Sequence, residues 1–133
     1  MNNNIYTAID ANLNRAVEGL RVCEDVLRFI VHDERSLDFK KLRHRVVGAL
    51  KDLNSTLLNA RNVDEDKQKF VDLSSEKTRA SIESVFKSNI SRAQESLRCL
   101  EEFSKLVCPE NCAELQNIRF ELYSLEKEIF LKF

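Results

Sequence analysis

Residues 12–25, NLNRAVEGLRVCED, align without a gap on residues 89–102, NISRAQESLRCLEE. Seven of the fourteen aligned positions are identical, and they comprise Asn, two Arg and two Glu besides Ala and Leu. Any amphipathic helix needs an apolar face, whereas surface charges change freely, so the matched polar residues indicate a true repeat. A weaker match joins residues 42–53 to residues 118–129. The pattern predicts one duplicated helical hairpin, because an open-ended array needs three or more shorter units.

The composition also favours helices. The chain of 133 residues contains 2 Gly and 1 Pro and is rich in Leu, Glu, Lys and Arg, which are good helix formers. This length suits a single domain. The chain carries 21 basic and 22 acidic residues, a net charge of −1. Proteins that bind nucleic acid by neutralising phosphates need an excess of positive charge, so the composition disfavours that function.

The sequence predicts a cytoplasmic protein. No apolar run approaches the roughly 18 residues of a membrane span, and the N-terminus, Met1-Asn2-Asn3-Asn4, lacks the charged-then-apolar pattern of a signal peptide. The four cysteines lack the paired spacing of a zinc or redox motif. We therefore expect reduced thiols and no membrane partner.

Apolar residues at spacings of three and four predict four helices. They span about 5–31, 37–59, 79–107 and 109–133. A linker of about residues 61–77, which begins with a charge run, breaks the periodicity. Because the connection within a hairpin is short, its helices should pack antiparallel. We predict an all-α fold, a four-helix bundle in one domain (1–133) built from two hairpins, about 5–59 and 79–132, around a pseudo-twofold axis.

The polar residues of the repeat lie beside the predicted core. On a helical wheel, Asn12, Arg15 and Glu18 step along one border of the apolar face. The second repeat reproduces this pattern, and each partner helix places an arginine at the edge of its stripe; these residues are Asn89, Arg92, Glu95, Arg43 and Arg119. Arginine suits phosphate or carboxylate, and Glu suits Mg²⁺ or proton transfer. A phosphorylated ligand with a metal explains the set, and mutual hydrogen bonds between core-bordering residues explain it equally well.

Two further observations limit the predicted site. Glu24 and Glu101 fall at the far edge of the apolar stripe, where we expect solvated salt bridges. The chain has no Gly-rich phosphate loop, dinucleotide fingerprint, nucleophile elbow or metalloprotease motif. A phosphate site here would therefore be built from Arg, Lys and helix N-termini.

Several phrases resemble a known family: residues 10–25, Leu42-Arg43-His44, Ala60-Arg61, and residues 89–105. They are similar to the helical domain that precedes thiamine-phosphate synthase in certain bacterial fusion proteins. The resemblance covers almost the whole chain. It implies a kinase that transfers a second phosphate from ATP, with Mg²⁺, to 4-amino-5-hydroxymethyl-2-methylpyrimidine phosphate in thiamine biosynthesis. The chain departs from the family after Arg61, where residues 62–66 read NVDED and the linker has no Gly.

The resemblance, together with the spacing, implies a role for each candidate residue. Arg15 and Arg92 would act on phosphates in catalysis, and Glu18 and Glu95 would hold Mg²⁺ or receive the substrate hydroxyl proton. Other substrate or phosphate contacts would come from Asn12, Asn89, Arg43, Arg119 and Arg61. Because the chain ends at Phe133 without a barrel, thiamine-phosphate synthase would be a separate chain and a candidate partner.

Two other functions stay open. The chain could be a non-catalytic binding or scaffold module, positioning a partner enzyme or forming a homodimer, and would then keep an exposed apolar face. Phe130, Leu131 and Phe133 are candidates for that face. A nucleotide hydrolase that uses Glu and Mg²⁺ is disfavoured, because the usual Glu-x-x-Glu pairs on facing helices are absent.

Overall fold

The chain is all-helical in the computed structural model, which describes residues 2–130. Within that range no β-strand occurs. The α-helices are α1 (Asn2–Asp25), α2 (Ser36–Ala49), α3 (Asn54–Ala60), α4 (Ser74–Lys77), α5 (Ile82–Val107) and α6 (Cys112–Phe130). A π-helical turn, Val26–Val31, continues α1, and 3₁₀ turns at Lys51–Leu53 and Pro109–Asn111 precede α3 and α6.

The predicted all-helical class is confirmed, with two corrections to the helix bounds. The second helix is not continuous over 37–59, because Leu50 leaves helical geometry (φ −118°, ψ 14°) and a 3₁₀ turn separates α2 from α3. The third helix begins at Ile82, because Ser81 caps it. The Ser81 hydroxyl accepts a hydrogen bond from the Ser84 backbone N–H at 3.1 Å, which satisfies a donor that the first turn leaves free.

One hydrophobic cluster draws buried side chains from α1, α2, α3, α5 and α6. α1 packs against α2, α3 and α5, and α6 packs against α5 and α2. Phe86 of α5 lies at the centre of this arrangement, edge-to-face with Phe39 of α2 and Phe130 of α6 at 5.8 Å between ring centroids in both pairs. Phe130 is therefore half-buried, while Leu131 and Phe133 lie outside the described residues.

The described side chains of the connection between α3 and α5 contribute nothing to this core. All side chains of residues 61–74 are exposed. Its start is fixed on α1, because the Thr7 hydroxyl donates a hydrogen bond to the Ala60 carbonyl at 2.6 Å. Among residues 2–130, no helix combines the length and apolar character needed to cross a lipid bilayer.

Candidate functional site

A cavity of about 830 Å³ lies between α1, α5 and the α3–α5 connection. α1 contributes Asn12, Arg15 and Glu18, and α5 contributes Arg92 and Glu95. These are five of the nine residues that the sequence predicts for the site, and they come from both repeats. The structure therefore brings these five together in one cavity, which the other four do not line.

Gly19 allows α1 and α5 to approach closely beside this cavity. A Cβ built on Gly19 would lie 2.8 Å from the Asn89 carbonyl oxygen and 3.3 Å from the Ala93 backbone nitrogen. The matched residue, Ser96, is buried, and its hydroxyl donates to the Arg92 carbonyl at 2.6 Å. The absence of a side chain at Gly19 thus allows α1 and α5 to pack closely. This packing places Arg15 and Arg92 at the same cavity.

Replacing Gly19 with Ala should lower the free energy of unfolding by about 1–2 kcal/mol, because overpacking against backbone exceeds the gain in helix propensity. Urea denaturation would measure this. Gly48→Ala is the matched control: a Cβ added at Gly48 would have no atom within 4 Å, so the same change should raise the unfolding free energy by up to about 1 kcal/mol. Equal stabilisation by both variants would contradict the close approach.

Arg15 and Arg92 differ from the other arginines of residues 2–130. Every other arginine in that range makes an ion pair, a hydrogen bond or a ring contact within the structure. Arg15 and Arg92 make none with the described residues, and both side chains are exposed at the cavity. Glu18 and Glu95 are also exposed there and have no such partner in the described part of the chain. Four charged side chains at matched positions are thus available to a ligand.

The charges around the cavity are mixed. Arg15, Arg92 and Lys69 face five carboxylates, which are Glu18, Glu95, Asp66, Asp72 and Glu76. An anion held by the three cations would be repelled by this excess of negative charge unless a divalent cation accompanied it. No group of three or more His, Cys, Asp or Glu in residues 2–130 is arranged to hold a metal by itself. The residues fit Mg²⁺ that arrives on phosphates, because this ion is commonly bound through one or two carboxylates and substrate oxygens.

The two matched asparagines make the same helical contact. The Asn12 side-chain amide donates to the Ala8 carbonyl at 2.9 Å, and that of Asn89 donates to the Val85 carbonyl at 2.8 Å. Asn12 is buried and lines the cavity, whereas Asn89 is half-buried and does not. The side-chain amide nitrogen of each asparagine therefore donates a hydrogen bond within its own helix. Of the two asparagines, only Asn12 lines the cavity.

Arg43 and Arg119 lie outside this cavity, in ion pairs with the carboxylates of the preceding helix. Arg43 Nε lies 3.1 Å from Glu24 Oε1, and Arg119 Nη2 lies 3.1 Å from Glu101 Oε1. The hydrogen bond to Glu101 raises the pKa of Arg119 above its ordinary value. The expectation of solvated salt bridges was wrong, because the Glu24 and Glu101 side chains are only 3 % and 4 % exposed.

Arg61, the ninth predicted residue, borders a second cavity of about 340 Å³. Its guanidinium pairs with Asp10, with Nε–Oδ2 at 2.8 Å and Nη2–Oδ1 at 2.9 Å, and this hydrogen bonding raises the pKa of Arg61. Asp66 lines both cavities, so the two adjoin. Arg61 therefore fixes the start of the connection beside the main cavity and is not itself among the residues that line it.

The sequence profile of one family matches residues 7–128 of this chain. The chain belongs to the ThiD2 family. This match confirms the resemblance inferred from the repeated phrases. In this member of the ThiD2 family, the matched range includes the predicted site residues of both repeats.

Relatives of this ThiD2-family chain carry the name thiamine-phosphate synthase. That of Rhodopirellula baltica is 36% identical over 130 residues, which are 96% of this chain and 35% of the relative. That of Nostoc punctiforme is 36% identical over 126 residues (94% and 35%), and that of Prochlorococcus marinus strain AS9601 is 38% identical over 131 residues (97% and 37%). The chain spans about a third of the length of these relatives. No solved structure matches it significantly.

Sequence reasoning missed two contributions to the site. Asp10 is buried and pairs with Arg61 at the second cavity, and the helical wheel did not single it out because it lies off the apolar face of α1. Lys69, Asp72 and Glu76 line the main cavity, although no site residue was predicted between residues 62 and 77. A segment without periodicity gives no indication of which helices it passes over, so their position could not be predicted.

Proposed function

We propose that this chain transfers the γ-phosphate of ATP to 4-amino-5-hydroxymethyl-2-methylpyrimidine phosphate, in thiamine biosynthesis. The observation that carries the proposal is the pair of arginines, Arg15 and Arg92, which have no partner among the described residues and face one cavity together with Glu18 and Glu95. Membership of the ThiD2 family and relatives named thiamine-phosphate synthase support the thiamine context.

We also propose that the fold is a four-helix bundle of two duplicated hairpins, with α1 and α2 in one and α5 and α6 in the other. The equivalent ion pairs Glu24–Arg43 and Glu101–Arg119 support this arrangement, because each joins the two helices of one hairpin. The matched back-bonds of Asn12 and Asn89 support it as well. The main cavity would then lie near the pseudo-twofold axis, which explains why both repeats contribute to it.

In this mechanism the chain acts mainly by positioning phosphates and neutralising their charge, as phosphoryl transfer requires. Arg15 and Arg92 approach from different helices and would bind the two phosphorylated ligands together. Glu18 and Glu95 would hold Mg²⁺, which would supply charge neutralisation between the transferred and leaving groups. A phosphate oxygen of the pyrimidine substrate forms the new bond to the γ-phosphorus, and the bond to the β–γ bridging oxygen breaks, releasing ADP.

A general base has little purpose in this reaction. The attacking group is the phosphate already present on the pyrimidine, and a phosphate ester has a second pKa of about 6, so it is largely ionised at neutral pH. We therefore assign Glu18 and Glu95 to the metal rather than to the transfer of a substrate proton. Asn12, at the same cavity, is the candidate for orienting the pyrimidine or a metal-bound water.

Release of ADP from ATP and Mg²⁺ tests the proposal with purified protein in a coupled assay. We expect turnover with hydroxymethylpyrimidine phosphate and none with the unphosphorylated pyrimidine, because Arg15 and Arg92 require a phosphate to bind. Circular dichroism on the same preparation would confirm that the helices are formed. Absence of turnover in folded protein would contradict the kinase and favour the second candidate.

That second candidate is a binding or scaffold module. The π-helical turn after α1 exposes Phe29, Ile30 and Val31 at 60 %, 56 % and 41 %, and Leu37 is 52 % exposed. Val31 and Leu37 line a common surface depression, and adjoining exposed apolar residues often mark protein contacts. Thiamine-phosphate synthase on a separate chain, or a second copy of this chain, would be the partner.

A further inference from the structure

The main cavity presents mainly polar surface, with little that could receive a ring. From α1 and α5 it is lined by charged and polar side chains apart from Cys99, and Val71 of the connection adds the only larger apolar group among the described lining residues. Both ligands of the proposed kinase carry a planar heteroaromatic ring besides their phosphates. Arg15 and Arg92 can bind phosphates, but a ring needs a flat apolar partner. That partner must come from elsewhere in the chain.

Phe70 lies in the connection between two residues that line the cavity, although it is not itself a lining residue. Its side chain is 88 % exposed, the highest exposed fraction among the exposed large apolar residues of the described chain. Its neighbours in sequence, Lys69 and Val71, both line the cavity. The Lys69 ammonium lies 5.4 Å from the centroid of the Phe70 ring, so the ring lies close to a cation at the cavity. The side chains of residues 61–74 around it are exposed and belong to no hydrophobic core, so turning Phe70 toward the cavity breaks no core contact of these residues.

We propose that Phe70 stacks on the heteroaromatic ring of a phosphorylated ligand bound in this cavity, closing the connection over it. The inference rests on the proposed function and adds a specificity-determining residue to it. Stacking on Phe70 selects for ligands with a planar ring. Lys69, whose ammonium lies beside the Phe70 ring, turns toward the phosphates of the bound ligand. The ring is that of the pyrimidine substrate or that of adenine, and the kinetics of each ligand distinguish the two.

Kinetics of Phe70→Ala provide the first test. Loss of stacking should raise KM about tenfold for the ligand whose ring contacts Phe70, while kcat changes much less. Phe70→Trp should retain a low KM, because a larger ring still stacks. Phe29→Ala is the matched control, since Phe29 is 60 % exposed on the π-helical turn after α1, and it should change neither KM. Unchanged KM values for both ligands in Phe70→Ala would overturn the inference.

Fluorescence separates failure of this inference from failure of the proposed function. The chain contains no Trp, so Phe70→Trp introduces a single fluorophore. Its emission should change on titration with hydroxymethylpyrimidine phosphate or ATP, but not with inorganic pyrophosphate, which has no ring. This result needs no turnover and would support the inference even in an inactive protein. No response to either ring-bearing ligand, or an equal response to pyrophosphate, would overturn it.

Discussion

Replacing either Arg15 or Arg92 with Ala is expected to lower kcat/KM for hydroxymethylpyrimidine phosphate by at least a hundredfold. Each guanidinium faces the same cavity without a partner in the described chain, so each would bind phosphate directly. Removing one such group from a phosphoryl-transfer or oxyanion site costs about 10²–10³ in rate or more. Neither variant should unfold, because both side chains are exposed.

The loss of activity in each single variant also distinguishes one shared catalytic site from two independent ones. If the repeats held two independent sites, each variant would keep roughly half of the activity. If both arginines act on one pair of ligands, either variant alone is nearly inactive and the double variant is little worse, because residues that act as a unit are non-additive. Steady-state kinetics of the three variants would decide between these arrangements.

Arg21→Ala is the matched control for these variants. Arg21 lies in the same helix and is also matched in the second repeat, but it pairs with Asp25 at 3.5 Å on the exposed surface. Its loss should leave kcat/KM within about twofold, since surface pairs contribute little. Arg15→Lys should fall between wild type and Arg15→Ala, because Lys keeps the charge and loses the planar fork. Full activity in Arg15→Ala would contradict the phosphate-binding role of Arg15.

The repeat predicted the meeting of Arg15 and Arg92, because matched residues on matched helices converge when those helices pack together. The same logic could have paired Glu24 with Arg43, since both have counterparts in the second repeat. The helical wheel missed the pair because it gives the direction of a side chain from its own helix axis, not what the neighbouring helix covers. The break at Leu50 carried only a weak signal, because an isolated glycine such as Gly48 occurs inside helices as well as near their ends.

Replacing Glu101 with Ala is expected to lower the free energy of unfolding by about 2–4 kcal/mol. The change leaves the Arg119 guanidinium, whose side chain is only 12 % exposed, without its carboxylate, and an unpaired buried charge is costly. Replacing both Glu101 and Arg119 with Met should recover most of the loss, because an apolar pair of similar volume removes both charges. Urea denaturation of the single and double variants would measure the coupling.

Glu102→Ala is the control in the adjacent position. Glu102 pairs with Arg98 and Lys105 on the exposed side of α5, and its removal should leave the denaturation midpoint unchanged. An equally small effect of Glu101→Ala would mean that its ion pair is solvated, as the helical wheel predicted. The Met–Met variant also tests the phosphate role predicted for Arg119. If that arginine serves only to join α5 to α6, the folded double variant keeps the KM values of the wild type; if it binds phosphate, KM rises although stability is restored.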